Sequence, residues 1–378
     1  MPNFTGTLYP NEVISAIYNM IISQSIFANN IASTNSELVN MNRVDGGMYG
    51  DTKLYYATDV LKSAPWLNDA EAQNLLAIHR PPAPSVQAIR IDTFRQISLT
   101  IDDYMSKRAF SSETIFSEFN SVLVSWIRET RRIYDATMFN AYVGTASTDI
   151  GRQMQNVILP TDTDKEAENR LQAQTIAEFI ANLLVDLKDM TRDFNDYQYL
   201  RSYDVESDII IVWNSKYLNK IKKLDLPTMF HNEKLIDKFG EFVLPERFFG
   251  SVNEEAGTAP DPNTTVRSLN ETDYKVGEKV THVFAGDLIP AGSAYESNTT
   301  YTNGTTSDIV CKIMYKRSIP LMSGFSVATS FFNPKSLTDN RYLTWSHNTL
   351  EYLKNYPMIT VTATQATTQN TKVAARAK

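Results

Sequence analysis

The chain has 378 residues, 42% of them hydrophobic and 21% charged, ordinary globular proportions that exclude a disordered, collagen-like or coiled-coil rod protein. Lys and Arg total 36 against 43 Asp and Glu, a formal charge of −7, the wrong sign for a protein that grips nucleic acid by its phosphates. A single cysteine, Cys311, rules out an intrachain disulfide framework and any multi-thiolate metal or iron–sulfur site built by one chain.

The opening MPNFTGTLYPNEV lacks a basic segment followed by a long apolar one, and no later stretch reaches the roughly 18 uninterrupted apolar residues of a spanning helix. Neither a standard secretory signal nor a membrane span is therefore expected. The 19 Tyr and 18 Phe call for heavy burial, in cores or between subunits.

After Pro10, with Asn11 as cap, Ile14, Ile17, Tyr18, Ile21 and Ile22 recur at helical spacing and predict an amphipathic N-terminal helix. Residues 29–50, rich in Asn and Ser and closing on Gly46, Gly47 and Gly50, read as an extended arm. Two strands follow, Lys53 to Thr58 and Gln87 to Ile101, joined by a segment containing Pro81, Pro82 and Pro84. In the second, Ile89, Ile91, Ile97, Leu99 and Ile101 share one register and Arg90, Asp92, Gln96 and Ser98 the other. Paired with each other, the strands would form a projecting hairpin too thin to own a core, which a neighbouring molecule would have to cover.

From Ser111 to Val143 a long helix is predicted, with one stripe through Val122, Trp126, Ile127, Ile133, Tyr134 and Met138 and an opposite face of Arg128, Arg131, Arg132 and Asp135. Trp126 is the expected core anchor. The arginines and Asp135 read either as a salt-bridged solvated face, by pairing within the helix, or as a contact between subunits. A second helix is predicted from the capping-box spacing of Thr175 and Glu178, burying Ile176, Phe179, Ile180, Leu183, Leu184, Leu187 and Met190. The run Ile209 to Trp213 suits a fully buried central strand, with Asn214 capping a following helix. Leu183 and Trp213 are the expected core of an α+β domain. Residues 253–307, polar and Thr/Asn-rich, read as loops and short strands; strands return at Ile309 to Tyr315, Phe325 to Phe332 and Met358 to Thr362, and the chain after Thr364 reads as a mobile tail.

Reactive chemistry is sparse. His79, His231, His282 and His347 are isolated from one another and lack metal-ligand spacing. Asp102 and Asp103, adjacent at a strand end, point to opposite faces and do not converge on one bond. Gly47 to Gly50 has the spacing of a nucleic-acid clamp without its basic helices and reads as a hinge. Cys311 sits in a strand, where a buried structural thiol is the usual state. The glycosylation-type triplets at Asn263 and Asn298 read as chance products of a Thr-rich stretch. No catalytic, cofactor or metal site is expected.

The order of elements carries more than any motif. IRIDTFRQISLTIDDY running into FSEFNSVLVSWIRETRRIYDATMFNAYVG, then AEFIANLLVDLKDM with SDIIIVWNSKYLNKI, then IVCKIMYKRSI, FFNPKSLTDNRYLTW and NYPMITVTA, resembles the major capsid proteins of tailed bacteriophages, of the Hong Kong 97 type. The resemblance covers most of the chain. It implies an α+β fold with an N-terminal arm (1–45), an extended two-stranded loop (46–101), a peripheral domain (102–155 and 325–378) holding the spine helix 111–143, and an axial domain (156–324). The implied function is a structural, non-enzymatic one, a shell of hexamers and pentamers around a DNA genome, found in the virion and assembled in the host bacterial cytoplasm. Implied partners are other copies of the chain, a separate scaffolding protein, a portal protein, packaged double-stranded DNA without sequence-specific contact, and decoration or auxiliary capsid proteins. Lys53 and Lys62 are the lysines available for the crosslinking of some relatives, without an Asn/Glu constellation to support it. Assembly candidates are Ile14, Ile17, Ile21, Lys53, Tyr55, Tyr56, Ile89, Ile91, Arg128, Arg131, Arg132 and Asp135. The alternatives are an encapsulin-like nanocompartment, distinguished by its cargo, and a hydrolase or carbohydrate-binding protein using the region from Tyr274 to Tyr301, distinguished by remaining a small species.

Overall fold

A computed structural model describes residues 36–46, 52–63, 78, 80–102, 113–146, 148, 151–221, 242–249, 252–253, 266–268, 272–276, 279–283, 288–289, 294–295, 301–303 and 308–366. The N-terminal helix with Ile14, Ile17 and Ile21, the Gly47 to Gly50 hinge, Asp103, His79, His231, both glycosylation-type triplets and the chain after Ala366 lie outside them.

Helix α1 (Ser36–Asn42) leads into strand β1 (Arg43–Asp45). Strands β2 (Thr52–Ala57) and β3 (Ser85–Asp102) are the two expected, but they pair with each other only between Ala57↔Ser85 and Thr52↔Arg90. Next comes the long helix α2 (Glu113–Thr145), and then β4 (Met154–Leu159).

Helix α3 (Lys165–Lys188) begins ten residues before the predicted box at Thr175. The cap is Asp164, whose side chain accepts from the Glu166 amide at 3.0 Å, with Glu166 and Glu168 in the first turn and Lys188 in the last, complementing the helix dipole. Thr175 sits mid-helix and bonds back to the Leu171 carbonyl. Strand β5 (Ile209–Asn214) and helix α4 (Ser215–Ile221) follow, and the Asn214 side chain accepts from the Lys216 amide at 3.1 Å, the cap the sequence predicted. Then come β6 (Phe242–Leu244) and seven short strands, β7 (Val252–Asn253), β8 (Val266–Ser268), β9 (Thr272–Val276), β10 (Lys279–Val283), β11 (Leu288–Ile289), β12 (Ala294–Tyr295) and β13 (Tyr301–Asn303). The chain closes with β14 (Ile309–Tyr315), β15 (Leu321–Asn333), β16 (Thr338–Asn348) and β17 (Met358–Gln365).

Two five-stranded sheets organise these elements. The central one has the order β4-β17-β14-β5-β6 and the other β1-β15-β16-β3-β2. The central sheet is covered on both faces, so β5 is buried at every residue and its apolar run needs no alternation. Odd-numbered Ile209, Ile211 and Trp213 meet Ile176, Ile180, Leu183, Leu184 and Leu187 of α3. Even-numbered Ile210 and Val212 meet Phe139, Ala141 and Val143, from the end of α2. Gly144 lets that end approach closely: a Cβ there would stand 2.0 Å from the Phe248 carbonyl oxygen.

Three expectations are corrected by this arrangement. The strand Ser85–Asp102 is no free projection, because β16 pairs along it from Ile91 to Asp102; the partner comes from some 240 residues away, which periodicity cannot show. Residues 325–378 do not act as one unit, since β17 leaves the β15–β16 hairpin and joins the central sheet beside β14 and β4. Trp126 is 45% exposed while its neighbour Ile127 is buried, so of the predicted stripe Ile127 and Tyr134 meet the sheet and Trp126 does not.

Candidate assembly surfaces

Helix α2 lies on the sheet of β3, β15 and β16 through Ile127, Tyr134, Leu343 and Trp345, with Ile97, Leu99 and Met138 at the margin. A polar relay runs inside this contact. Arg95 Nε donates to the Tyr134 hydroxyl at 3.2 Å, and that hydroxyl lies 3.1 Å from His347 Nε2. His347 Nδ1 lies 2.9 Å from the Asn348 carbonyl, which only accepts. Nδ1 therefore carries the proton and Nε2 accepts from Tyr134. Burial pushes the His347 pKa below its ordinary value, in keeping with a neutral ring. Trp345 packs edge-on against Tyr134 with ring centroids 5.7 Å apart, and Arg131 lies over the Trp345 ring.

The predicted charge cluster is split by the structure. Asp135 is buried and pairs with Arg43 of β1 at 2.8 Å, instead of with arginines of its own helix. Arg131 donates to Ser326 and Ser323 of β15, and Arg132 pairs with Glu129. Arg128 is exposed. Arg131 and Asp135 thus dock the helix within the subunit, which leaves Arg128 and Arg132 facing outward.

The opposite face of the same sheet is open and mixes exposed apolar side chains with polar Gln96, Ser98, Thr100 and Thr344. Phe94 of β3 and Phe325 of β15 face each other with centroids 6.1 Å apart. Every residue from Phe325 to Phe332 is exposed, including Val327, Phe331 and Phe332. Beyond Ser323, where its pairing with β1 ends, β15 has no partner on that edge among the described residues. The segment SGFSVATSFFN contains no charge, although charges are what edge strands ordinarily carry against unwanted pairing.

Beyond β2 the chain is held to the body by a polar clasp. Asp59 accepts from Arg192 at 2.6 Å and from the Leu200 amide at 3.1 Å; these bonds, the Arg192 one foremost, hold its carboxyl at about 2. Arg201 donates to the Thr58 carbonyl, and Ser85 meets the Tyr199 hydroxyl at 2.6 Å. Past the clasp, Leu61 and Ile78 are open to solvent.

Of the assembly candidates, Tyr56 is exposed, while Lys53 and Tyr55 are half-buried; burial pushes the Tyr55 hydroxyl up. Ile89 and Ile91 are corrected: both are buried within the chain, against Met322 and Leu353, with Tyr55 packed alongside. Leu183 and Trp213 are core residues as expected. Lys62 is exposed and Asp102 ends β3 opposite Thr338.

The sequence reading missed Lys312. It lies wholly buried in β14 and donates to the Ala146 carbonyl at the end of α2 and to Thr360 Oγ1, the latter at 2.8 Å. The signal available was a lysine inside IVCKIMY. Burial pushes its ammonium down to about 7 and drives the Cys311 thiol up. Among the described residues no group of three or more His, Cys, Asp or Glu is placed to hold a metal ion, and no helix is long and apolar enough to cross a membrane.

No protein-family model and no curated protein sequence matches the chain. Solved structures do. A chain from the capsid structure of Staphylococcus phage Andhra aligns over 96% of this chain and 88% of its own length, with a TM-score of 0.59 at 10% identity. A chain from the structure of the head fiber and inner core protein gp22 of native bacteriophage P68 aligns over 88% and 85%, with a TM-score of 0.57 at 11% identity. At such identities the likeness is one of fold, and it extends over nearly the whole chain. The α+β phage capsid fold that the order of sequence elements implied is the fold of this protein.

Proposed function

We propose that this chain is a major capsid protein, many copies of which close as hexamers and pentamers into an icosahedral shell around a phage DNA genome. The observation that carries the reading is the uncharged, exposed strand Phe325 to Phe332 on a subunit of capsid fold. A surface of that kind invites association, and a shell supplies a neighbour for every copy. The role is structural and not enzymatic. The arm (1–45) and the part of the extended loop (46–101) between the clasp at Asp59 and Ser85 engage neighbours, since Ser85–Asp102 is paired within the subunit. The axial domain is centred on the β5–β14 sheet and the peripheral domain on α2. A separate scaffolding protein, a portal protein and decoration proteins complete the particle, which is assembled in the host bacterial cytoplasm and ends in the virion.

Expression of the chain with its candidate scaffold, followed by sedimentation and electron microscopy, tests this. Closed shells of uniform size are expected. A compact monomer under every condition, scaffold included, would overturn the reading. Shells that enclose one enzyme and lack a portal vertex would mark a nanocompartment instead.

A further inference from the structure

His347 is buried and stands where the sheet under α2 is interrupted twice. The β15–β16 ladder shifts register between Ser323 and Ser326, and the β16–β3 ladder between His347 and Asn348. Ser323 is itself the partner of His347, so the two shifts lie side by side. Side chains take over backbone bonds at this level: the Phe325 amide donates to Ser346 Oγ at 3.2 Å and the Met322 amide to Asn348 Oδ1 at 2.7 Å. Adjacent bulges bend a sheet and interrupt its ladders, which leaves the contact with the helix to supply more of the rigidity here. The His347–Tyr134 bond is part of that contact.

This bond requires a neutral ring. Protonation would make Nε2 a donor, so the Tyr134 hydroxyl could no longer give its proton to it, and an imidazolium and the Arg95 guanidinium would both lie within 3.2 Å of one oxygen. The charged groups facing the ring are Arg95 and Asp92 from β3 and Asp135 from α2, with Arg131 of the same helix over the neighbouring Trp345 and Arg43 of β1 behind Asp135. Both carboxylates are already engaged, Asp135 with Arg43 and Asp92 with the Thr349 amide and hydroxyl. A further buried cation in this setting is unfavourable. Burial accordingly lowers the pKa of the ring. A histidine held neutral in the packed state and free to charge outside it withdraws stability as pH falls below its ordinary value of about 6.5.

We propose that His347 is an acid-sensitive lock between α2 and its sheet: when neutral it holds Tyr134 and the helix in place, and when protonated in mild acid it releases them while the central sheet stays folded. The lock belongs to the single subunit and does not rest on the shell reading. The core between α3 and β5 is a separate cluster that contains neither residue.

Hydrogen exchange of the full-length subunit, read by mass spectrometry and corrected for the intrinsic pH dependence of exchange, tests this. In wild type, protection of peptides that contain Tyr134 or His347 should fall by up to about fivefold between pH 6.5 and 5.5, the limit for uptake of one proton on opening. Peptides from α3 should stay protected. His347→Gln retains a carbonyl that can accept from Tyr134 but does not titrate, and its protection should be flat over the same window. An equal loss of protection in that variant overturns the proposal, as does equal loss in α3, which would mark global unfolding. Direct titration of the His347 ring by NMR needs no variant: its protonation should coincide with the loss of protection. A ring that stays neutral down to about pH 4.5, or one that charges while α2 remains fully protected, also overturns it.

Discussion

Lys312 shows how one side chain couples two parts of the molecule. Its ammonium touches the carbonyl end of α2, where a cation is favoured, yet no carboxylate bonds to it among the described residues, and burial brings it to about 7 from an ordinary 10.5. The sign follows from proton counts. Between pH 7 and 10.5 the unfolded chain holds a proton that the native one lacks, so stability rises with pH across that window, by up to about 1.4 kcal/mol per pH unit. Below pH 7 both states are protonated and the cost of the buried charge is fully present. Lys312→Met should flatten the rise, as read from urea midpoints at pH 7, 8 and 9. An equal rise in the variant would assign the slope to another group. Tyr142, Tyr203 and Tyr352, all pushed upward by burial, act only near and above pH 10 and with the opposite sign.

At the scale of elements, β3 is the instructive case. Its alternation was legible, and the odd-numbered register is the one that turns inward. What covers that register was not legible. Ile89 and Ile91 pack against Met322 and Leu353, and the Gln87 amide reaches the Tyr352 carbonyl while its oxygen accepts from the Lys354 amide. Ile89→Ala should therefore destabilise the isolated subunit, by about 2–5 kcal/mol, measurable by chemical denaturation without any assembly. A variant with native stability that fails only in shell formation would return Ile89 to the subunit interface. The same reasoning excludes replacing Tyr55 to Ile89 with a flexible linker as a clean test of assembly, because that change also removes part of the subunit's core.

For the whole molecule, the last 58 residues matter more than their position in the sequence implies. Strands β15 and β16 form the middle of one sheet, and β17 stands between β4 and β14 in the other. A chain ending at Pro320 would leave β3 without its long partner and β4 without its only neighbour among the described strands. Such a fragment should lose cooperative melting altogether, with a calorimetric trace lacking the transition of the full chain. Retention of that transition would show that the first 320 residues fold by themselves. Pairings between strands this far apart in sequence also predict slow folding for the size of the chain.

By itself the sequence determined the elements whose periodicity is local: the long helix, the buried run Ile209 to Trp213 with its Asn214 cap, the alternation of β3, and the succession of elements that marks the capsid fold. Hydrophobic spacing and capping act within a few residues, so a single chain reads them out directly. Only the tertiary structure decided which strand lies beside which, that Trp126 faces solvent while Ile127 does not, that Asp135 reaches back to Arg43, and that a lysine lies in the centre of a sheet. Each of these depends on groups tens to hundreds of residues apart being brought within a few ångströms, and on the burial that follows. Trp126 and Ile127 both fall within the helical stripe that periodicity marks. The sheet beneath it selects between the two.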